Sequence, residues 1–321
     1  RSHRQPEDPR RTPAGGTRLN IQADTLPHTD TPLPPSGPAD SSDETRPDNS
    51  SPAPQPRQRI ALGVAYNGQA YEGWQSQASG RTVQDRLEAA LGKFTTHKVS
   101  TLCAGRTDAG VHGLMQVVHF DTVLERAPSS WVRGTNRFLP PDIAVQWAQA
   151  VPDSFHCRAS ATARRYAYVL LQSPVRPSVE AGRVGWAFRP LNEEAMRAAA
   201  DLLLGEHDFS SFRASACQAL SPIKTLNHLG IHRRGMGATC YWRFEFEANA
   251  FLHHMIRNIM GCLVAVGTGD KPVDWMAEVL AARRREVAAP TFSPNGLYFL
   301  GPVYDSHWGL PNHTAAYDWL P

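Results

Sequence analysis

Ile60-Ala-Leu-Gly-Val-Ala-Tyr-Asn67 is the first stretch of this chain with a periodic pattern. Ile60, Leu62, Val64 and Tyr66 alternate with Ala61, Gly63, Ala65 and Asn67. Successive strand side chains point to opposite faces, so this spacing predicts a strand with one apolar face. Downstream, Val83, Leu87, Leu91 and Phe94 recur at helical spacing behind Thr82, a residue suited to cap a helix. Val99–Ala104 and Met115–Asp121 read as strands, Ser129–Phe138 as a short helix, and Ile143, Val145 and Trp147 as a further strand. The predicted order is β-α-β-β-α-β.

The second half repeats that order. Ala163–Gln172 is a predicted strand, and Asn192–Leu204 a helix capped by Asn192 and stopped by Gly205. His228–Arg234 and Ala238–Ala248 form a predicted strand pair around Gly235-Met-Gly237, with Cys240, Trp242, Phe244 and Phe246 alternating. Phe251–Val266 reads as a strongly apolar helix, Val273–Arg283 as another, and Leu297–Tyr304 as the closing strand. The expectation is an α+β protein of two ferredoxin- or RRM-like lobes whose antiparallel sheets join.

The chain has 321 residues, long for one domain and comfortable for two. Residues 1–58 hold 12 of its 26 prolines, no aromatic residue, and seven Arg against eight Asp or Glu. Such a segment buries too little surface to offset the ordering of its backbone, so it is expected to be disordered. It is too acidic for a transit peptide and lacks the apolar run of a signal peptide. The expected division is a tail at 1–58, lobes at 59–160 and 161–305, and a C-terminal extension at 306–321.

Hydrophobic residues make up 41% and charged residues 20%, ordinary values for a globular protein. No window approaches the roughly 18 apolar residues of a membrane span, which excludes an integral helical membrane protein. The five cysteines are scattered and form no C-x-x-C pair. That argues against a disulfide framework or thiolate zinc site and points to a reducing, cytoplasmic setting. The net charge is only +3, so a nucleic-acid partner is not announced by bulk charge.

Cys103-Ala-Gly-Arg-Thr-Asp-Ala-Gly-Val-His-Gly113 packs three glycines around one carboxylate, Asp108, with Arg106 two positions earlier. Glycines let a backbone or ligand approach closely, and a nearby Arg favours an ionised carboxylate. On these features alone the loop is either a glycine-rich turn with a surface ion pair or a catalytic loop.

Gly105-Arg-Thr-Asp-Ala-Gly-Val-His112 resembles the catalytic motif of the TruA-type tRNA pseudouridine synthases. Tyr71-Glu-Gly-Trp-Gln75, Phe155-His-Cys-Arg158, Ala163-Arg-Arg-Tyr-Ala-Tyr168, Phe209-Ser-Ser-Phe-Arg-Ala214 with Cys217, Phe251-Leu-His-His-Met-Ile-Arg-Asn-Ile259 and Gly296-Leu-Tyr-Phe-Leu300 match further motifs in the family's order. The resemblance runs from about Arg59 to Tyr304. It departs at Ala167, where the family carries a basic residue. It implies the pseudouridine-synthase fold, a homodimer, and isomerisation of uridine at positions 38, 39 or 40 of the tRNA anticodon stem-loop. The uracil is detached at N1, turned, and rejoined through C5, which needs no metal or other cofactor. One carboxylate beside C1′ is needed, in a pocket that keeps water from the detached base. Asp108 matches that residue. Attack on the sugar and removal of its 2′ proton both remain open.

Within the predicted helix at 251–266, Arg257 interrupts an apolar surface, where an unpaired charge is costly. Its stem can pack inside while its head reaches water; by resemblance it is instead the partner of Asp108. His253 and His254 suggest metal, but neighbours on a helix diverge and no third ligand stands at useful spacing, so no metal site is expected. Tyr166 shares a strand face with Arg164, Tyr168 and Leu170. It suits a core tyrosine, and its match to the family's Arg-Arg-Tyr points to stacking on the target uracil. Leu297 matches the apolar residue that closes the other side of the base. Arg106, Arg164, Arg165 and Arg213 sit in matched motifs as candidate contacts to tRNA phosphates, whereas Arg283-Arg-Arg285 reads as a solvated helix end.

Overall fold

A computed structural model of the chain describes residues 57–311. The expected tail falls almost wholly outside the described residues, as does most of the C-terminal extension. The strand predicted from Ile60 is β1, Gln58–Tyr66, antiparallel to β3 (His112–Thr122) on one side and β4 (Ile143–Val151) on the other. A short β2, Leu102–Cys103, lies on the far side of β3. Helices α1 (Val83–Thr95) and α2 (Pro128–Asn136) cover one face of these strands. Ile60, Leu62 and Val64 bury there against Leu87, Leu91 and Trp131.

The second half carries β5 (Ala161–Gln172), β6 (Gly185–Ala187), α3 (Glu193–Asp201), β7 (Gly205–Asp208), β8 (Ile223–Arg234), β9 (Cys240–Ala248), α4 (Met255–Gly267), α5 (Trp275–Ala282) and β10 (Leu297–Tyr304). Its strand order is β10-β5-β9-β8-β7. Tyr166, Tyr168 and Leu170 face the helices, packing in one core with Met196, Ile259 and Leu263. Ala167, Val169 and Leu171 face the other side, against Tyr298 and Leu300. The halves meet where β10 pairs with β3 through Tyr298↔His112 and Phe299↔Gly113, and this join is parallel. One mixed sheet of ten strands results.

The predicted caps form: Thr82 Oγ1 accepts from Asp85 N–H at 3.2 Å and Asn192 Oδ1 from Ala195 N–H at 3.0 Å. Other expectations are corrected. The strand expected over Val99–Ala104 shrinks to β2 because Thr101 N–H and Oγ1 donate to Glu88 on α1, at 2.7 and 2.9 Å. Backbone bonded there cannot join the sheet. The helix expected from Phe251 begins at Met255, because His254 turns into the left-handed region at φ 62°. β6 and β7 are too short to show a period, and neither was expected.

His112 is a buried staple at the seam. Its Nδ1 accepts Gly68 N–H at 3.1 Å, so Nε2 carries the hydrogen that faces Gly182 O (2.9 Å) and Asn295 O (3.1 Å). Its ring stacks on Tyr298 at 4.7 Å.

His119 on β3 is buried and accepts Cys157 N–H on Nδ1 at 3.3 Å. Burial first, then the charges of Arg59 and His156, lower its pKa from 6.5 to about 4. The unfolded chain therefore binds the extra proton first. The stability tied to neutral His119 is complete above pH 6.5 and is lost as the pH falls toward about 4. Melting temperature should drop across that window, and less steeply in His119→Gln; parallel curves for the two proteins would refute the assignment.

Candidate active site

Between β2 and β3 the chain forms a loop over 104–111 that presents Asp108. Thr107 O accepts Trp74 N–H at 3.0 Å, Thr107 Oγ1 meets Tyr66 Oη at 2.8 Å, and Tyr71 O accepts Gly110 N–H at 3.3 Å. The Tyr71–Trp74 segment is thus the cradle of the acidic loop. Gly73 makes the approach possible: its φ is +92°, and a Cβ there would lie 2.6 Å from Thr107 O and 3.1 Å from the Asp108 carbonyl carbon. Gly73→Ala should cost about 1–3 kcal/mol and slow turnover by displacing the acid. Thermal unfolding and a single-turnover assay check this, and parental values in both would refute it.

Three side chains converge on the Asp108 carboxylate. Arg257 Nη1 lies 3.0 Å from Oδ2, His254 Nε2 3.3 Å from the same oxygen, and His253 Nε2 3.2 Å from Oδ1. Arg257, only 14% exposed, also donates from Nε to Phe292 O at 2.9 Å, which fixes the plane of its guanidinium. Asn258 ties α4 to the neighbouring chain: Nδ2 donates to Phe212 O at 2.8 Å, and Oδ1 accepts from Thr291 Oγ1 at 2.7 Å and Arg285 at 3.0 Å. Arg257 therefore pairs with Asp108 rather than snorkelling to water.

The two histidines were expected to diverge. Because α4 starts after them and His254 has positive φ, both rings instead reach one carboxylate, 4.0 Å apart. Asp108 supplies the third donor absent from the local sequence, and these three donor atoms lie within 4.8 Å of one another. The Arg257 guanidinium on the same oxygen opposes a metal cation there.

Asp108, Arg257, Tyr166 and Leu297 line one cleft of about 1100 Å³. Tyr166 is 8% exposed, its ring edge-on to Phe251 at 5.1 Å and tilted against Phe299 at 4.8 Å. Burial, then the Asp108 charge, push its pKa up, so the phenol stays protonated. Leu297 is buried at the start of β10.

The candidate phosphate contacts separate. Arg106 is exposed and lines the cleft. Arg164 also lines it, but its guanidinium faces the carbonyls of Ala161 (3.2 Å), Asn249 (3.0 Å), Ala104 (3.5 Å) and Arg158 (2.6 Å). Arg213 holds Cys217 O and Ala219 O at 2.6 and 2.8 Å, shaping a loop that forms one wall. Arg165 is off the cleft, on the opposite face of β5 from Tyr166. Arg285 bonds Asn258 and Thr291, so only Arg283 and Arg284 are exposed as the solvated end expected there. Exposed Arg158 lines the cleft and was not singled out; its place in the Phe155-His-Cys-Arg158 motif was the available signal. His253 and His254 were missed as partners of Asp108 because helical geometry was assumed for them.

The model of a family described as tRNA pseudouridine synthase matches residues 63–158 and 199–305 of this chain. The tRNA pseudouridine synthase A of Paracidovorax citrulli is 74% identical over 277 residues, covering 82% of this chain and 100% of its own length. That of Delftia acidovorans is 71% identical over 281 residues, with the same coverage. The solved archaeal box H/ACA sRNP Nop10-Cbf5 complex aligns with 71% of this chain and 60% of its own, at 12% identity and a TM-score of 0.29. That likeness is too slight to argue from. The chain belongs to the tRNA pseudouridine synthase family. It is accordingly an isomerase that converts uridine to pseudouridine in tRNA.

Proposed function

We propose that Asp108 is the catalytic carboxylate and that the targets are uridines 38, 39 and 40 of the anticodon stem-loop. The observation that carries this is the clamp of Arg257 on Asp108 beside Tyr166 and Leu297 in one cleft. The flipped uridine lies with its sugar at Asp108 and its base between the Tyr166 ring and Leu297. The N1–C1′ bond breaks, the uracil turns in the slot, and C5 bonds to C1′. Arg257 keeps the carboxylate aimed at the sugar throughout. Tight walls favour recapture of the base over its escape.

Arg106 meets the tRNA backbone at the rim, with Arg164 and Arg213 supporting that wall of the cleft. The enzyme is a cytoplasmic homodimer, in which a second copy adds to the modest basic field of each body. Its architecture is two β-α-β-β-α-β lobes, 59–160 carrying the acid and 161–305 carrying Arg257, Tyr166 and Leu297. The strand orders β4-β1-β3 with β2 beside β3, and β10-β5-β9-β8, support that division.

Incubating the protein with unmodified tRNA transcripts and mapping pseudouridine tests the reading. Product at positions 38–40 is expected. Product confined to other positions, or free uracil released into solution, would overturn it.

A further inference from the structure

The two oxygens of Asp108 are not equivalent. Oδ2 is taken by Arg257 at 3.0 Å and by His254 at 3.3 Å, while Oδ1 meets only His253, at 3.2 Å. Of these three partners His253 is the most open, at 40% exposure against 28% for His254 and 14% for Arg257. The oxygen that can turn to the sugar is therefore Oδ1, and a substrate approaching it meets the imidazole of His253 first. His253 is also held in place. Its backbone N–H donates to Cys217 Sγ at 3.4 Å, and its ring packs 4.0 Å from that of His254.

Isomerisation leaves one chemical task that the carboxylate and the slot do not perform. Uridine carries a hydrogen on C5 and none on N1; the product carries one on N1 and none on C5. A proton must change atoms, and some group beside C1′ has to carry it. Tyr166 is the ionisable group proposed to lie on a face of the base, and its buried, protonated phenol is a poor acceptor. Histidine is the side chain suited to give and retake a proton near neutral pH.

Resting on the reading of Asp108 as the catalytic carboxylate, we propose that His253 is a catalytic residue that carries the proton between C5 and N1. The cycle starts with a hydrogen on each ring nitrogen. When the N1–C1′ bond breaks, its electron pair goes to the uracil, Asp108 bonds to C1′ or takes the 2′ proton, and N1 takes the Nε2 proton of His253. The base turns and C5 bonds to C1′ as the Asp108–C1′ bond breaks or the 2′ proton returns to C2′, leaving C5 with both its hydrogen and the new carbon, and a positive charge over C6 and N1. Nε2, now bare, takes the C5 proton. The C5–H electron pair becomes the C5=C6 bond, the C6=N1 pair returns to N1, and His253 ends as it began. No oxidant, reductant or net proton is required. His254 backs this by holding Oδ2 with Arg257, leaving Oδ1 to the sugar.

The experiment uses the full chain with tRNA transcripts carrying hydrogen or deuterium at C5 of the target uridine, followed in single turnovers. With His253 in place, removal of the C5 proton is expected to outpace the other steps, so the parent should show little isotope effect. His253→Gln should be slowed about a hundred-fold or more and show a clear primary isotope effect, because the proton then leaves to solvent. Imidazole added to His253→Ala should restore much of the rate. Exposure of His253 makes loss of folding unexpected, and circular dichroism checks it. A His253→Gln protein as fast as the parent, or slowed without an isotope effect, overturns the proposal, as does an isotope effect that arises in Tyr166→Phe instead. If the parent itself makes no pseudouridine, the reading of Asp108 fails; if the parent is active and only the His253 result is negative, the proton carrier alone fails.

Discussion

Asp108→Asn should abolish isomerisation while leaving a folded protein that still binds tRNA. The substitution keeps the size and shape of the side chain, so the Thr107–Trp74 and Gly110–Tyr71 backbone contacts of the loop persist. What disappears is the anionic oxygen proposed to face the sugar, and an amide neither attacks C1′ nor removes the 2′ proton. Turnover should fall at least about a thousand-fold, equivalent to roughly 4 kcal/mol of lost transition-state stabilisation. Stability should change little: Arg257 keeps its bond to Phe292 O, and the amide oxygen of the new side chain can still accept from its Nη1. A melting temperature within about 4 °C of the parent and unchanged tRNA retention on a filter are expected. Pseudouridine at parental rates in this variant would remove Asp108 from the mechanism.

Arg257→Gln is expected to be the next most damaging change, lowering turnover about a hundred- to a thousand-fold with tRNA affinity nearly intact. The glutamine retains a donor but not the charge, and its shorter reach cannot serve Asp108 Oδ2 and Phe292 O together. Arg257→Lys separates these two tasks. It restores a positive group near the carboxylate without the planar fork that spans both acceptors, and should recover only part of the rate. Full activity in Arg257→Gln would show that the carboxylate is aimed by the histidines alone. Full recovery in Arg257→Lys would show that charge matters and the Phe292 bond does not.

Much of this arrangement was legible in the sequence where side-chain period and capping chemistry act locally. β9 alternates cleanly enough that its buried face follows from residue order, whereas β1 buries Ala61 and Gly63 on its second face as well, which the one-apolar-face expectation did not foresee. Thr82 and Asn192 announce their helices because an unpaired N–H at a helix start needs an oxygen nearby. Asp108, Arg257, Tyr166 and Leu297 were each recognised through motif resemblance, although they come from four separate elements. What stayed hidden depends on contacts distant in sequence. Nothing near Thr101 reveals that Glu88 will take its N–H, and nothing in Phe251–His254 reveals the positive φ that postpones α4. Helical geometry sends His253 and His254 apart; one left-handed residue brings them together. The arginines show the converse limit. Arg164 and Arg213 have the composition of phosphate contacts, yet each holds backbone carbonyls, because loops near a cleft also need donors for unpaired oxygens.

The parallel seam carries a mechanical consequence. Asp108 sits just before β3 and Leu297 begins β10, so the proposed catalytic acid and the proposed apolar wall are mounted on strands sharing two rungs. The seam is wider than its rungs: Tyr304, Trp308 and Leu310 pack with Phe155, Trp147 and Val117, and Leu114 packs with Tyr298 and Leu300. Acid and apolar wall therefore share one compact unit, and their spacing is fixed by buried side chains as well as by backbone pairing.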